Sequence, residues 1–428
     1  VYGWALFTQT GFQSAMKIAI VGSGISGLVT AYLLNNGHAI TLFEAEGRIG
    51  GHTCTVDAAA GGRTYPVDTG FIVFNEATYP NFLKLMRRLG VAWQPSSMSF
   101  SVKCPQTGLE FRPSSLNTLF IQRRNLLNPA FYRMIVDIVR FRREMRRLLS
   151  SSDFSLTLSE LLERHGYSHF FRRHFIIPMG AAIWSSDPAG FERFPARFFA
   201  QFFHNHGFLD IRQPQWLTLQ GGSRRYLDPI TRGFRDRIRV DCPVTSIRRL
   251  PDGVELSAGG ARESFDAVVI AAHSDQALAL LTDPSEAERG ILGSIPYQEN
   301  RTVLHTDSSI LPRRKAAWAA WNYLVPERDS GGVALTYDMN ILQNIAAPVE
   351  FCVSLNLEER LDPAKVLRRM VYHHPTYSPE SLAARRRLSE INGVNRTYYA
   401  GAYWGYGFHE DGVNSALEVC RHFGKGLE

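Results

Sequence analysis

Three glycines in six residues, Gly22-Ser-Gly24-Ile-Ser-Gly27, follow the short apolar run Lys17-Ile-Ala-Ile-Val. In this spacing the first glycine permits a tight turn and the second lets backbone approach a pyrophosphate. The third lets the next helix pack closely on the preceding strand. A helix opening near Ser26 turns its free N–H groups and positive dipole end toward phosphates. Glu44 closes the next apolar run, 17 positions beyond Gly27. A carboxylate there binds ribose hydroxyls and disfavours a ribose phosphate. A second diglycine follows in Glu44-Ala-Glu-Gly-Arg48-Ile-Gly50-Gly51-His52. Arg48 is placed to reach a phosphate, and Gly50-Gly51 lets backbone lie against a long cofactor. The chemistry these residues suit is the binding of a dinucleotide without a 2′-phosphate.

The elements that must position them read as a β-α-β unit. Residues 17–22 form a buried strand, 26–36 a helix ended by Gly37, and 39–44 a second, parallel strand. A helical, basic and aromatic region spans about 115–207, and Gly221-Gly222 opens another helix. Residues 238–270 read as hairpin-like strands, and 297–357 alternate as strands do. The end returns to strand (Thr397-Tyr-Tyr-Ala-Gly), turn and helix (413–423). No repeat or low-complexity linker interrupts the chain. The reading is an α/β protein whose Rossmann-like nucleotide-binding domain is assembled from discontinuous segments (16–95, 212–290, 395–428). An α+β substrate domain (96–211 and 291–394) is inserted into it, and residues 1–15 read as an extension or arm ahead of Met16.

With 428 residues, the chain is long for one core. No apolar run reaches the roughly 18 residues that span a bilayer. Five cysteines (54, 104, 242, 352, 420) show no CxxC pair, which argues against a disulfide scaffold or structural zinc and fits a cytoplasmic setting. His204, His206, His373 and His374 lack partners at metal-ligand spacing, so no metal site is expected. The net charge is +7, and eight arginines stand between Arg123 and Arg147 against Asp137 and Glu144. Apolar residues interleave at helical spacing. Either the segment is a solvated helix packed on its own domain, or it contacts an anionic membrane as a peripheral helix. No nucleic-acid motif accompanies it, and the oligomeric state is left open.

Gly22–Gly27, Glu44 and Arg48-Ile-Gly50-Gly51 together resemble the flavoprotein superfamily that includes amine oxidases, phytoene desaturases and protoporphyrinogen oxidases. Asp68-Thr-Gly70-Phe71 resembles its flavin-contacting segment, and Trp216-Leu-Thr-Leu-Gln-Gly221-Gly222 its mid-chain diglycine. Val244 falls where members hold adenine through backbone. Tyr399-Ala-Gly401 with Asp411-Gly412-Val413 resembles the C-terminal FAD motif. The resemblance implies a GR2-type fold and non-covalently bound FAD. It also implies a helix N-terminus facing the flavin N1/O2 edge. Two positions depart from the pattern: Ala402 replaces a frequent acidic residue, and His52 stands where amine oxidases usually carry arginine. Val67–Glu76, Pro178-Met-Gly-Ala-Ala-Ile-Trp184 and Gly405–Gly412 resemble a narrower bacterial group of FAD-dependent oxidoreductases associated with fatty-acyl modification.

Oxidising a C–H bond by hydride transfer to flavin N5 needs a dry pocket and, for desaturation, a base. His52, His409 and Glu410 are the candidate bases. Tyr403, Trp404, Tyr406 and Trp184 are candidate pocket walls. The expected function is FAD-dependent oxidation or desaturation of a hydrophobic, lipid-like substrate. A peroxide-forming amine oxidase, a flavin-dependent isomerase or mutase, and a non-catalytic flavin-binding partner are the alternatives.

Overall fold

The computed structural model describes residues 15–151, 153, 155–209, 214–327 and 332–427; apart from Ala15, the expected extension lies outside them. Strand β1 (Lys17–Val21), helix α1 (Ile25–Leu34) and strand β2 (Ala39–Phe43) form the first unit. Helix α2 (Pro80–Leu89) follows, then strands β3 (Phe100–Cys104) and β4 (Leu109–Phe111). Helices α3 (Pro129–Leu148), α4 (Ile177–Trp184) and α5 (Ala196–Asn205) build a helical layer. Strands β5 (Trp216–Leu219), β6 (Ile238–Arg239) and β7 (Ala267–Ile270) come next. After them run β8 (Tyr297–His305), β9 (Trp321–Leu324), β10 (Leu335–Asp338), β11 (Cys352–Leu355) and β12 (Val366–Pro375). Strand β13 (Thr397–Tyr399) and helix α6 (His409–Arg421) end the fold.

Two sheets organise these elements. The first is five-stranded, in order β6-β2-β1-β7-β13, with every pairing parallel. Its central strands are unbroken apolar runs because both faces are covered: Ile18, Ala19 and Ile20 of β1 and Val268, Val269 and Ile270 of β7 are fully buried. The second sheet is seven-stranded, β12-β8-β11-β10-β9-β3-β4, antiparallel except where β9 pairs with β3. The chain therefore visits the parallel sheet in three separate stretches and the second sheet in two. The α/β architecture expected from the sequence is present.

The stretch 238–270 is not one hairpin set. Its ends, β6 and β7, join the parallel sheet, while residues 244–265 form a separate three-stranded antiparallel sheet. The fully buried Ala-Val-Val-Ile run of β7 is the reason, since only a strand covered on both faces accommodates it. The basic segment is also divided. Arg123–Leu127 is a tight 3-10 turn, and α3 begins only at Pro129, where the Asn128 side chain accepts from the Ala130 N–H. Gly222 leads through a short 3-10 turn (Ser223–Tyr226) into a helix at Leu227–Thr231.

Candidate functional site

The Gly-rich turn leaves β1 at Gly22, whose φ is +101°. A Cβ there would stand 2.7 Å from the Ala271 carbonyl oxygen, so a side chain is doubly excluded. A Cβ on Gly27 would lie 1.9 Å from the Gly22 carbonyl oxygen, which is why α1 can lie directly against the turn. Gly24 caps α1 without a side-chain hydrogen bond, and its first turn holds no acidic residue. The helix thus keeps unsatisfied N–H groups at its N-terminus. Glu44 accepts from the Ser23 N–H at 2.9 Å and from the Ser23 hydroxyl, and its other oxygen accepts from the Glu46 N–H at 2.9 Å.

The second diglycine folds onto the first. Gly50 N–H donates to the Ser23 carbonyl at 3.0 Å, and Gly51 lies against Gly24. Phe71 N–H donates to the His52 carbonyl at 2.9 Å, an approach that leaves no room for a Cβ at Gly70. These segments share one cavity of about 590 Å³. Gly22, Gly24, Ser26, Glu44, Gly50, Gly51, His52, Gly70, Phe71, Val244 and Gly401 all line it. From the other side come Met98, Ile183, Trp184, Phe202, Phe208, Trp216, Trp321 and Tyr337, on the helical layer, the second sheet, strand β5 and the adjoining segments.

Several expected site residues stand elsewhere. Arg48 does not line the cavity: its guanidinium donates to the Gly51 carbonyl at 2.9 Å and pairs with Glu46 at 3.1 Å, so it braces its own loop. Gly27 lies beneath the turn. Gly412 and Val413 are packing positions: a Cβ on Gly412 would meet Ile25 at 2.6 Å, and Val413 is fully buried. Asp411 accepts from the Phe408 N–H at 3.0 Å, capping α6, and burial pushes its carboxyl up to about 6.

The three candidate bases separate in the same way. Glu410 points away from the cavity and accepts from the backbone N–H groups of Asn81 and Phe82 at 3.0 and 2.8 Å, capping α2. Its neighbour His409 lines the cavity, stacked on Phe71 at 3.6 Å and 3.0 Å from the Thr53 hydroxyl. Burial holds its imidazole down to about 3. His52 also lines the cavity, and its buried Nε2 has no hydrogen-bond partner. Burial, then the neighbouring imidazoles of His374, His273 and His409, keep it neutral.

Around His52 the structure gathers residues that the sequence reading did not connect. Tyr372, His374 and His273 have ring centroids 5.0, 5.3 and 6.3 Å from it. Tyr297 stacks on His273 at 4.4 Å, and Asn300 donates to His374 Nδ1 at 3.0 Å. Burial, then His273 and His373, lower His374 to about 4. These groups arrive from β8, β12 and the loop after β7, and no local signal joins them.

Of the expected pocket walls, Trp184, Tyr403 and Tyr406 line the cavity and Trp404 does not. Trp184 Nε1–H donates to the Tyr406 carbonyl at 3.1 Å, and the indole packs among Phe194 and Phe202, each at 4.5 Å. Trp404 instead presents its carbonyl to Arg385 at 2.6 Å.

A parallel nucleotide sheet, an uncapped helix behind a Gly-rich turn and an adjoining apolar chamber define a flavin-dependent oxidoreductase. Residues 25–307 match the family described as flavin containing amine oxidoreductase, and the chain belongs to that family. Its cofactor is FAD, and the residues fit it: Gly24 is open above the turn, the α1 N–H groups are unclaimed, and Glu44 faces the same cavity.

Cyclohexylamine oxidase from Brevibacterium oxydans IH-35A superimposes with a TM-score of 0.69 at 17% identity, covering 96% of this chain and 100% of that one. A CLA-producing fatty acid isomerase from P. acnes gives 0.69 at 16% identity, over 95% and 98%. At these identities the likeness establishes the fold. A curated relative, YobN of Bacillus subtilis (strain 168), provisionally named an L-amino-acid oxidase, is 51% identical over 45 residues. That stretch covers 10% of this chain and 9% of the relative.

Proposed function

We propose that this oxidoreductase oxidises or desaturates a hydrophobic, fatty-acyl-type substrate. One observation carries the reading. Among the described residues lining the cavity, Glu44 at the cofactor turn is the sole Asp, Glu, Lys or Arg. Apart from the imidazoles grouped around His52 and a few neutral polar groups, the wall is apolar and aromatic, so an acyl chain gains from burial there, whereas a charged group entering it meets no carboxylate, lysine or arginine beyond the cofactor turn.

FAD, when bound, supplies the hydride acceptor for such chemistry. The chain's own residues exclude water and receive the accompanying proton. Trp184, Phe202 and Phe208 dry the chamber, and His52, which lines it with an Nε2 that has no protein partner, is the residue placed to take the proton. His409 is a positioning residue, held by Phe71 and Thr53. The test is anaerobic mixing of purified protein with fatty-acyl phospholipid. Bleaching of the flavin band, with a product lighter by two hydrogens, is expected. Bleaching and peroxide release with simple amines alone would refute the reading.

Two other readings each have a point in their favour. Amine oxidation is favoured by the family and by the Tyr403 and Tyr406 rings at the cavity. Isomerisation accords with the fold shared with the P. acnes fatty acid isomerase, and a product of unchanged mass marks it. Lipid mass spectrometry of cells with and without the gene identifies the substrate in either case.

A further inference from the structure

Large apolar side chains exposed to solvent are concentrated in one place. Of the eleven among the described residues, six lie between positions 116 and 139. Leu127 is 88% exposed, Leu116 77%, and Val136, Val139, Tyr132 and Leu126 between 45% and 52%. They belong to one surface. Tyr132 Oη donates to the Leu126 carbonyl at 3.0 Å, which ties the turn before α3 to the helix. Arg123 donates to Asn117 and to the Phe120 carbonyl, which ties that turn to the Leu116 segment.

Helix α3 has two different faces. Phe131, Met134, Phe141, Met145 and Leu148 enter the core. On the opposite face Tyr132, Val136, Val139, Arg143 and Arg147 follow one another at spacings of four, three, four and four residues. The first two turns of that face are therefore apolar and the last two basic. The eight arginines from 123 to 147 exceed the acidic residues by six, nearly the whole net charge of +7. Of the two acids, Asp137 is fully buried between Arg133 and Arg140, which leaves Glu144 beside Arg147. Arg123 and Arg124 donate only to carbonyl and amide oxygens, so they keep their full charge.

We propose that the face formed by Leu116, Leu126, Leu127, Tyr132, Val136 and Val139 docks on an anionic phospholipid bilayer, with Arg143 and Arg147 in the headgroup layer. Protruding leucines beside a segment with a surplus of arginine charge match the two layers of such a surface: acyl boundary and phosphate. No helix among the described residues is long and apolar enough to cross a membrane, so α3 lies on the bilayer rather than through it. The buried face of α3 packs on α5, whose Phe202 lines the cavity together with His206 at its C-terminal end. Docking thus sets the catalytic chamber two helix layers from the lipid. The proposal stands on surface chemistry and does not depend on the substrate reading.

The test is flotation of the flavin-loaded protein with phosphatidylcholine vesicles, with and without one-third phosphatidylglycerol. Binding is expected only to the anionic vesicles and should weaken as salt rises. R143E/R147E and L127D should each reduce binding by about tenfold or more while keeping wild-type flavin content and melting temperature. R262E, on the distant antiparallel sheet, should bind as wild type. Equal binding to neutral and anionic vesicles overturns the proposal, as does wild-type binding by both α3 variants. A dimer that L127D dissociates, in protein that ignores vesicles, would assign the face to a second copy and also overturn it.

Discussion

Replacing Glu44 tests whether the acidic end of β2 belongs to the cofactor site. Its carboxylate takes the Ser23 N–H and hydroxyl and the Glu46 N–H, so it fixes the shape of the Gly-rich turn as well as facing the cavity. A hydrogen bond to a charged partner contributes roughly 1.5–3 kcal/mol. The site is half-buried, so water replaces part of that loss in E44A. One such bond lost from the turn and one from the ribose give about 3–4 kcal/mol. That is roughly 150- to 1,000-fold in FAD affinity. E44Q keeps an acceptor but sets an NH₂ group against backbone donors, and should lose about tenfold. FAD titration of the apoprotein by flavin fluorescence measures both. Circular dichroism of the apo forms checks that the fold persists. E44A binding FAD within about threefold of wild type would refute the assignment, because the carboxylate would then support FAD neither through the turn nor through the ribose.

Other perturbations reach different parts of the structure. G27A must displace the Gly22 carbonyl from a Cβ 1.9 Å away. Purified protein should retain no more than about a tenth of the wild-type flavin absorbance. E410A removes the acceptor for two N–H groups at the start of α2. It should cost about 1–2 kcal/mol of stability without altering the pH profile of flavin reduction; a changed profile would return Glu410 to the chemistry. Asp338 is raised well above its ordinary value by burial and by the carboxyl of Glu350. Its folded-state pKa exceeds the unfolded one, so its contribution is full in acid and is lost as pH rises from about 4. D338N, which keeps the cap on Ile341 N–H, should therefore gain melting temperature over wild type progressively from about pH 4 to about pH 8 and level off above that. A constant difference would show that the pair does not share a proton.

Turn chemistry was the most legible part of the sequence, because it is local. Gly22 and Gly27 make the tight turn and the close helix packing that their spacing predicts, within a single β-α-β unit. Side-chain direction was less legible. Arg48 has the reach for a phosphate, yet nearer carbonyls at Gly51 and Thr53 take its guanidinium. His409 and Glu410 are adjacent on α6, so they point roughly 100° apart, one to the cavity and one to α2. The cluster of His52, His273, His374 and Tyr297 was hidden for a different reason. Its members lie up to 322 positions apart and meet only when both sheets are assembled. The boundary of α3 at Pro129 was signalled by Asn128-Pro129, but the run of arginines across it masked the break.

The order of strands in the parallel sheet also bears on how the protein is made. Strand β1 finds β2 at once, but its other neighbour, β7, is 246 positions further on, and the sheet closes only with β13 at Thr397. A ribosome delivers the glycine turn long before the strand that completes its sheet. Until β7 emerges the apolar edge of β1 has no partner, and until β13 emerges the edge of β7 has none, so the growing chain carries an open template for aggregation. Contacts of such sequence separation form slowly. Removing β13 and α6 should therefore leave a chain unable to hold FAD, although every residue of the Gly-rich turn is present.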